Sequence, residues 1–477
     1  MPSFGRTLSE IPPSPLVAVD QLLRSGAHTE PVPLQQGKTV FEPCARPGTW
    51  DRAEFGIAAH EHAPPAGVPA LRSAFADAAS RRRGVPVDPA QVLVTSGATH
   101  AIAVTLHAIL SPGDEVLILS PQWLFATGLV WAAGGTPREV PVFLELSEDP
   151  GFDFIAAIER AVGPHTRAIY FNNPNNPTGF RLDERALGAL ADLATRHDLW
   201  LIADNAYENY DYGDSGFIDM ATVPGAAERT FSVHSCSKTY AMPGARVGHL
   251  ISPPGAEETL TKWSLHTLYS VSTAAQYTAF RALATPADEL ARRREAAARA
   301  WRLADAALEI PHTRVAGGLY TFLDLGRHGD GAEFVRRCAE AGVGLAPAGC
   351  SAPTATTGPG SASPRHPKPW SRTPSAVSTR STGRAALTVD TTVAGPAAAS
   401  ALAPYLHRYE SPAQLGLKIN AYRGFEVEGL AEALRAPDLR GAPVECVMVG
   451  DSYFMTHLGR AGTSLTAPTS RSGASPP

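Results

Sequence analysis

The stretch SCSKTYAMPGARVGHL, residues 235–250, decides how this chain is read. It follows an apolar run, 230–233, with the character of a buried strand, and it places Lys238 in the Ser- and Gly-rich turn beyond. A lysine in that setting suits an amine nucleophile that forms a Schiff base, and Arg246, the next cation, suits an anion held beside it. A lysine in a polar loop is more often a solvated side chain, and only its neighbours in the sequence point to chemistry.

Outward from this loop, residues 87–250 alternate short β-branched runs with helical patterns, which argues for βα units and a mostly parallel sheet with helices on its faces. The candidate strands are 92–95, 115–119, 138–142, 168–171, 200–203, 230–233 and 245–251, and the clearest helices between them are 98–110, 154–162 and 184–197. Such sheets carry ligands at the carboxyl ends of their strands. Asp204 ends one apolar run, LWLIADNAY, where a buried carboxylate needs a cation or a hydrogen-bond donor. Taken alone it is equally a turn or cap former. Tyr207, three residues on, can bring a phenol to the same ligand. NNPNNPTG, residues 172–179, forces a tight polar turn and presents the amide of Asn176 at a strand edge. VTSGATHA, residues 94–101, sets Ser96, Gly97, Ala98 and Thr99 where a strand gives way to a helix, a place where backbone N–H groups and the helix dipole hold phosphate.

In this order and spacing the four segments resemble the fold-type I pyridoxal-phosphate enzymes, specifically the class I/II aminotransferase family. The likeness also takes in LQQGKTVFEP, GVPALR and PGDEVLILSP. It implies a large α/β domain joined to a smaller α+β domain, and an amino group moved between an amino acid and a 2-oxo acid. It implies that Lys238 carries the Schiff base to pyridoxal 5'-phosphate. Asp204 would hold the pyridine nitrogen, Tyr207 and Asn176 the ring oxygen, and Gly97, Ala98, Thr99, Ser235 and Arg246 the phosphate. Trp123 stands where the family has an aromatic residue stacked on the ring. Gly37 lies in the substrate-facing N-terminal segment, and Asn176 serves substrate as well. A homodimer with shared sites is implied too. His62 and Asn205 depart from the usual Tyr and Glu at their places. The same site could run β-elimination or decarboxylation, because the cofactor supplies the electron sink and the protein chooses the bond.

The second half of the chain reads differently. A long amphipathic helix is expected over 286–308, a strand over 317–325 and a helix over 331–342. Residues 351–384 hold 26 Gly, Pro, Ser, Thr or Ala among 34, with five Lys or Arg and no acidic residue, a composition expected to stay disordered. It begins where the family carries an Arg for the substrate carboxylate; Arg365, Arg372, Arg380 and Arg384 fit no motif for that role. An out-of-frame reading would produce such a change, leaving a cofactor-binding but inactive chain. Farther on, GLKINAYRGFEVEGL and VECVMVGDSYFMTHLG resemble the opening strands of ketopantoate hydroxymethyltransferase, whose metal and substrate residues match Asp451 and Ser452. That segment is far shorter than the ~250 residues a barrel needs. The expected organisation is an N-terminal segment of the small domain (1–45), a large cofactor domain (46–284), an incomplete small domain (285–350), the low-complexity stretch (351–384) and an extension (385–477).

Composition narrows the rest. The 477 residues carry 41 Lys and Arg against 46 Asp and Glu, a net charge of −5, which removes the electrostatic reason to expect a nucleic-acid or membrane surface. No apolar run approaches the ~18 residues of a membrane span and the start lacks a signal-peptide core, so a cytoplasmic protein is expected. Five widely spaced cysteines match neither a disulfide framework nor a metal site, and free thiols follow.

Overall fold

The apolar runs of residues 92–251 pair into one seven-stranded sheet in a computed structural model, which describes residues 11, 14–25, 32–35, 37, 41–45, 51–308, 311–324, 331–340, 342–347 and 416–420. Its strands are β1 (Val92–Thr95), β2 (Glu115–Ser120), β3 (Thr136–Pro141), β4 (Thr166–Asn172), β5 (Trp200–Asp204), β6 (Thr230–Ser235) and β7 (Gly248–Ile251), in the order β1-β7-β6-β5-β4-β2-β3. Every pairing is parallel except the two made by β7.

Strand alternation explains how both faces are buried. Leu117, Leu119, Ile169, Phe171, Leu201 and Ala203 pack on one side with helix Glu184–Arg196. Val116, Ile118, Ala168, Tyr170 and Ile202 pack on the other with helix Gly97–Ile109. With both faces covered, polar side chains have their place at the strand ends. There β4, β5 and β6 finish side by side, with Asn172 registered against Asp204 and Asp204 against Val233.

Most of the expected boundaries shift by one to three residues. The last strand begins at Gly248 and not at residue 245, because Pro243–Ala245 forms a 3-10 turn and Arg246 takes a left-handed conformation (φ +51) that cannot continue a strand. The strand expected at 138–142 runs over Thr136–Pro141. The helix expected at 154–162 closes at Glu159, where Ala161 N–H bonds back to the carbonyl of Ile158 and tightens the turn.

Helix Ala287–Ala307 leads from the sheet to a second layer. There β8 (Tyr320–Asp324) pairs antiparallel with Gly416–Asn420, which in turn pairs with Ala346–Pro347. Val32–Pro33 runs parallel to Val343–Gly344, and helix Pro15–Ser25 packs on helix Gly331–Glu340. Residues 351–384, the four arginines in them, Asp451 and Ser452 lie outside the described residues.

The two layers join at the Asn-rich turn. The N–H groups of Ala316 and Gly317 both bond the carbonyl of Gly179, at 2.8 and 3.0 Å, and the hydroxyl of Thr313 donates to the carbonyl of Thr178 at 2.5 Å. Gly179 has φ +70, and a Cβ there would lie 2.7 Å from the carbonyl oxygen of Tyr320. Only glycine permits this approach. Among the described residues, Cys44, Cys236 and Cys338 are free thiols, and no helix is long and apolar enough to cross a membrane.

Candidate active site

A cavity of about 220 Å³ opens where β4, β5 and β6 end. Gly37, Ala98, Thr99, Trp123, Asn176, Asp204, Tyr207, Ser235, Lys238 and Arg246 line it, so ten of the eleven residues singled out from sequence meet in one place. Gly97, the eleventh, lies beneath it. Its φ is +76, and a Cβ there would come 2.6 Å from Arg246 Nη2, so glycine leaves room for the guanidinium.

The turn at residues 172–179 divides its asparagines between scaffold and site. Asn172 bonds the Asp204 carbonyl at 2.9 Å and accepts the N–H of Asn176 at 2.6 Å. The side-chain oxygen of Asn173 accepts from Leu182 N–H, and that of Asn175 from Thr178 N–H. Asn176 reaches inward: its Nδ2 donates to Tyr207 Oη at 3.1 Å, while its Oδ1 is buried without a partner.

Asp204 is buried at the end of β5. Its Oδ1 accepts the N–H of Ala206 at 3.0 Å, and its Oδ2 accepts the hydroxyl of Tyr170 at 2.9 Å. Burial raises its pKa to about 6, against the lowering effect of Ala206, Tyr170 and the charge of His234.

Lys238 lies in the short helix Cys236–Thr239, capped by Ser235, whose hydroxyl oxygen accepts from Ser237 N–H at 3.1 Å. The Lys238 amine donates to the carbonyl of Gly37 and sits 5.9 Å from the centre of the Tyr207 ring. Burial, followed by the charge of Arg246, lowers its pKa to about 8. Arg246 is exposed on its outer side and is steered by bonds to the carbonyl of Pro243 at 2.9 Å and to Ser237 Oγ at 3.4 Å. Its left-handed backbone is unusual for a non-glycine residue and aims the side chain back under the cavity.

Several participants were not singled out from sequence. Tyr320 enters from β8; its ring meets Tyr207 edge-on at 5.9 Å, and the two hydroxyls share a hydrogen bond. Leu16 and Gln35 close the same side. Tyr170 sat inside an apolar strand and carried no motif.

The family model for aminotransferase class I and II matches residues 51–361. The chain belongs to the class I and II aminotransferases. An aspartate/prephenate aminotransferase of Thermus thermophilus is 32% identical over 358 residues, 73% of this chain and 91% of that one. Aromatic-amino-acid aminotransferase 2 of Thermococcus litoralis is 35% identical over 223 residues, 46% of this chain and 57% of its own. Among solved structures, the aspartate aminotransferase from Thermus thermophilus with maleate superposes with a TM-score of 0.64 at 32% identity, covering 73% of this chain and 92% of that chain. This aminotransferase is accordingly a pyridoxal-phosphate enzyme that works on an amino acid and a 2-oxo acid.

Proposed function

We propose that this aminotransferase takes an amino acid with a neutral, largely apolar side chain, and that the cavity residues divide the work between cofactor and substrate. The residues suit pyridoxal 5'-phosphate. Arg246 with Ser235 and the free N–H groups at the start of helix Gly97–Ile109 matches a phosphate dianion. Asp204 matches a protonated ring nitrogen, and the unpartnered Oδ1 of Asn176 beside Tyr207 Oη marks a polar edge left for a ligand. When bound, the cofactor supplies the electron sink that allows an amino acid's Cα–H bond to break.

The chain's own groups do the rest. Lys238, lowered to about 8, holds a larger share of neutral amine near neutral pH than a solvated lysine and moves a proton at the substrate Cα. Asp204 holds its negative charge against the ring nitrogen. Tyr207, oriented by Asn176 and Tyr320, brings its hydroxyl to the ring oxygen. The carbonyl of Gly37 steadies the lysine amine.

The observation that carries the substrate class is the cavity wall. Among the described residues, the cations lining it are Lys238 and Arg246, both turned to the cofactor, and beyond the cofactor residues the wall is Leu16, Gln35 and Tyr320. A carboxylate side chain placed against these groups would lose its hydration without gaining a cation from them. The Thermus relative is named for aspartate and prephenate, whereas this wall favours a side chain like that of leucine or methionine. Comparing amino donors on the loaded enzyme tests this: kcat/KM with leucine should exceed that with aspartate by about tenfold or more, and the reverse ranking would refute it.

The exposed pair His62 and Tyr269, with rings 5.1 Å apart, and the neighbouring exposed Leu268 support a homodimer interface on this face. Light scattering that returns the mass of two chains is the expected result.

A further inference from the structure

Asp204 is gripped from behind by a residue that the chemistry so far leaves unused. Tyr170 stands two residues before Asn172 on β4, and Asn172 is registered against Asp204, so alternation puts Tyr170 and Asp204 on the same face of adjacent strands. The ring packs among Ile118, Ala168 and Ile202, a setting in which phenylalanine would fill the same volume. The hydroxyl is what a phenylalanine would lack, and it donates to Asp204 Oδ2 at 2.9 Å, with both residues buried. The N–H of Ala206 fixes the other oxygen.

Resting on the reading of Asp204 as the partner of the cofactor's ring nitrogen, we propose that Tyr170 is a positioning residue: its hydroxyl locks the rotation of the Asp204 carboxylate and steadies its negative charge, leaving a lone pair aimed into the cavity. The groups facing Asp204 are few. Tyr170 approaches from β4, His234 from β6, and Tyr207 from the turn after β5. His234 is itself clamped, its Nδ1 2.8 Å from Glu208 Oε2 and its Nε2 3.9 Å from Asp219 Oδ2, and it stacks on His249 at 4.6 Å. Those carboxylates are tied to Arg82 and Arg83 in turn. His234 is therefore fixed in place behind Asp204, whereas Tyr170 touches the carboxylate directly. Charge-assisted bonds of this kind are the stronger class of hydrogen bond, and a buried one cannot be replaced by water when its donor is removed.

The test compares the loaded wild-type enzyme with Tyr170→Phe, Asp204→Asn and the double variant. Three properties are read: affinity for pyridoxal 5'-phosphate, the pH titration of the bound cofactor's absorbance, and kcat separately from KM. Y170F should weaken cofactor affinity by about tenfold or more, displace the absorbance titration by about half a pH unit or more, and lower kcat with KM changed less than about twofold. In the D204N background the same removal should change affinity by less than about threefold, because the hydroxyl acts through the carboxylate. If D204N is impaired while Y170F matches wild type in all three properties, Tyr170 is a packing residue and the proposal fails. If D204N is also silent, the underlying reading of Asp204 fails with it. Should Y170F not fold, 3-fluorotyrosine placed at position 170 keeps the ring and changes the acidity of its hydroxyl. An unmoved absorbance titration would then overturn the proposal.

Discussion

One wall of the cavity is made by the ends of three adjacent parallel strands and the turns that leave them; the other is made by Leu16, Gln35, Gly37 and Tyr320, which come from separate stretches of chain. On the first wall each functional side chain is held by a neighbour: Asn176 by Asn172, Asp204 by Tyr170 and Ala206, Lys238 by its capped helix. On the second wall Gln35 is held by Asp20, while Gly37 and Tyr320 reach across to Lys238 and Tyr207 and Leu16 contributes shape alone. The contrast separates the chemistry, which needs groups fixed to a fraction of an ångström, from the choice of substrate, which a wall of replaceable side chains can set. The walls meet at Gly37, whose carbonyl receives the Lys238 amine and whose missing side chain leaves room for Tyr320.

Substitutions along this division should fall in a graded series. Lys238→Ala removes the proton carrier from the first wall and should lower the turnover rate by roughly 10⁴-fold while the far-ultraviolet circular dichroism stays that of the wild type. Asp204→Asn leaves a buried cationic ring nitrogen without its counter-charge and should cost about 10²-fold in kcat, measured under saturating cofactor. Gly37→Ala puts a Cβ 1.9 Å from Tyr320 Oη and 2.8 Å from Lys238 Nζ, so the walls must separate. Its kcat/KM should drop about tenfold or more, and an unchanged value would break the claim that the walls meet here. Leu16→Lys places a cation on the second wall and should raise the preference for aspartate over leucine by roughly tenfold with the cofactor spectrum unaltered.

A pH experiment sharpens the same contrast. Burial lowers Lys238 to about 8, so in the cofactor-free protein the neutral amine predominates above that value. The rate of capture of pyridoxal 5'-phosphate should rise with pH and level off above about 8. The stability effect has a definite sign. An unfolded lysine titrates near ~10.4, so between these values the unfolded chain binds the extra proton and the contribution of Lys238 makes the fold more stable as pH rises. Chemical denaturation of the cofactor-free protein at pH 8 and pH 9.5 measures this against a Lys238→Met control.

The first wall was legible in sequence because its residues sit at strand ends within short motifs, where local chain direction fixes what a side chain can reach. Asn176, Asp204 and Lys238 could each be placed without knowledge of distant contacts. Tyr170 could not, since its role depends on the neighbouring strand's register and its immediate context is that of a core aromatic. Arg246 misled the boundary of β7 because an arginine in the left-handed region gives no sequence signal comparable to glycine. The second wall was largely illegible. Tyr320 was read correctly as part of a strand, but its meeting with Tyr207 depends on the docking of β8 against the Asn-rich turn, more than 100 residues away. Likewise, nothing local in GLKIN announces that Gly416–Asn420 pairs with Tyr320–Asp324.

The most direct test of the account is a single turnover with excess leucine and no acceptor on the cofactor-loaded enzyme, measuring 2-oxo acid, ammonia and carbon dioxide together. The expected result is one equivalent of 2-oxo acid per chain, loss of the bound cofactor's initial absorbance and neither carbon dioxide nor ammonia, with all of it absent in Lys238→Ala. Continuous release of ammonia or carbon dioxide, or bound cofactor that no amino donor alters, would contradict it.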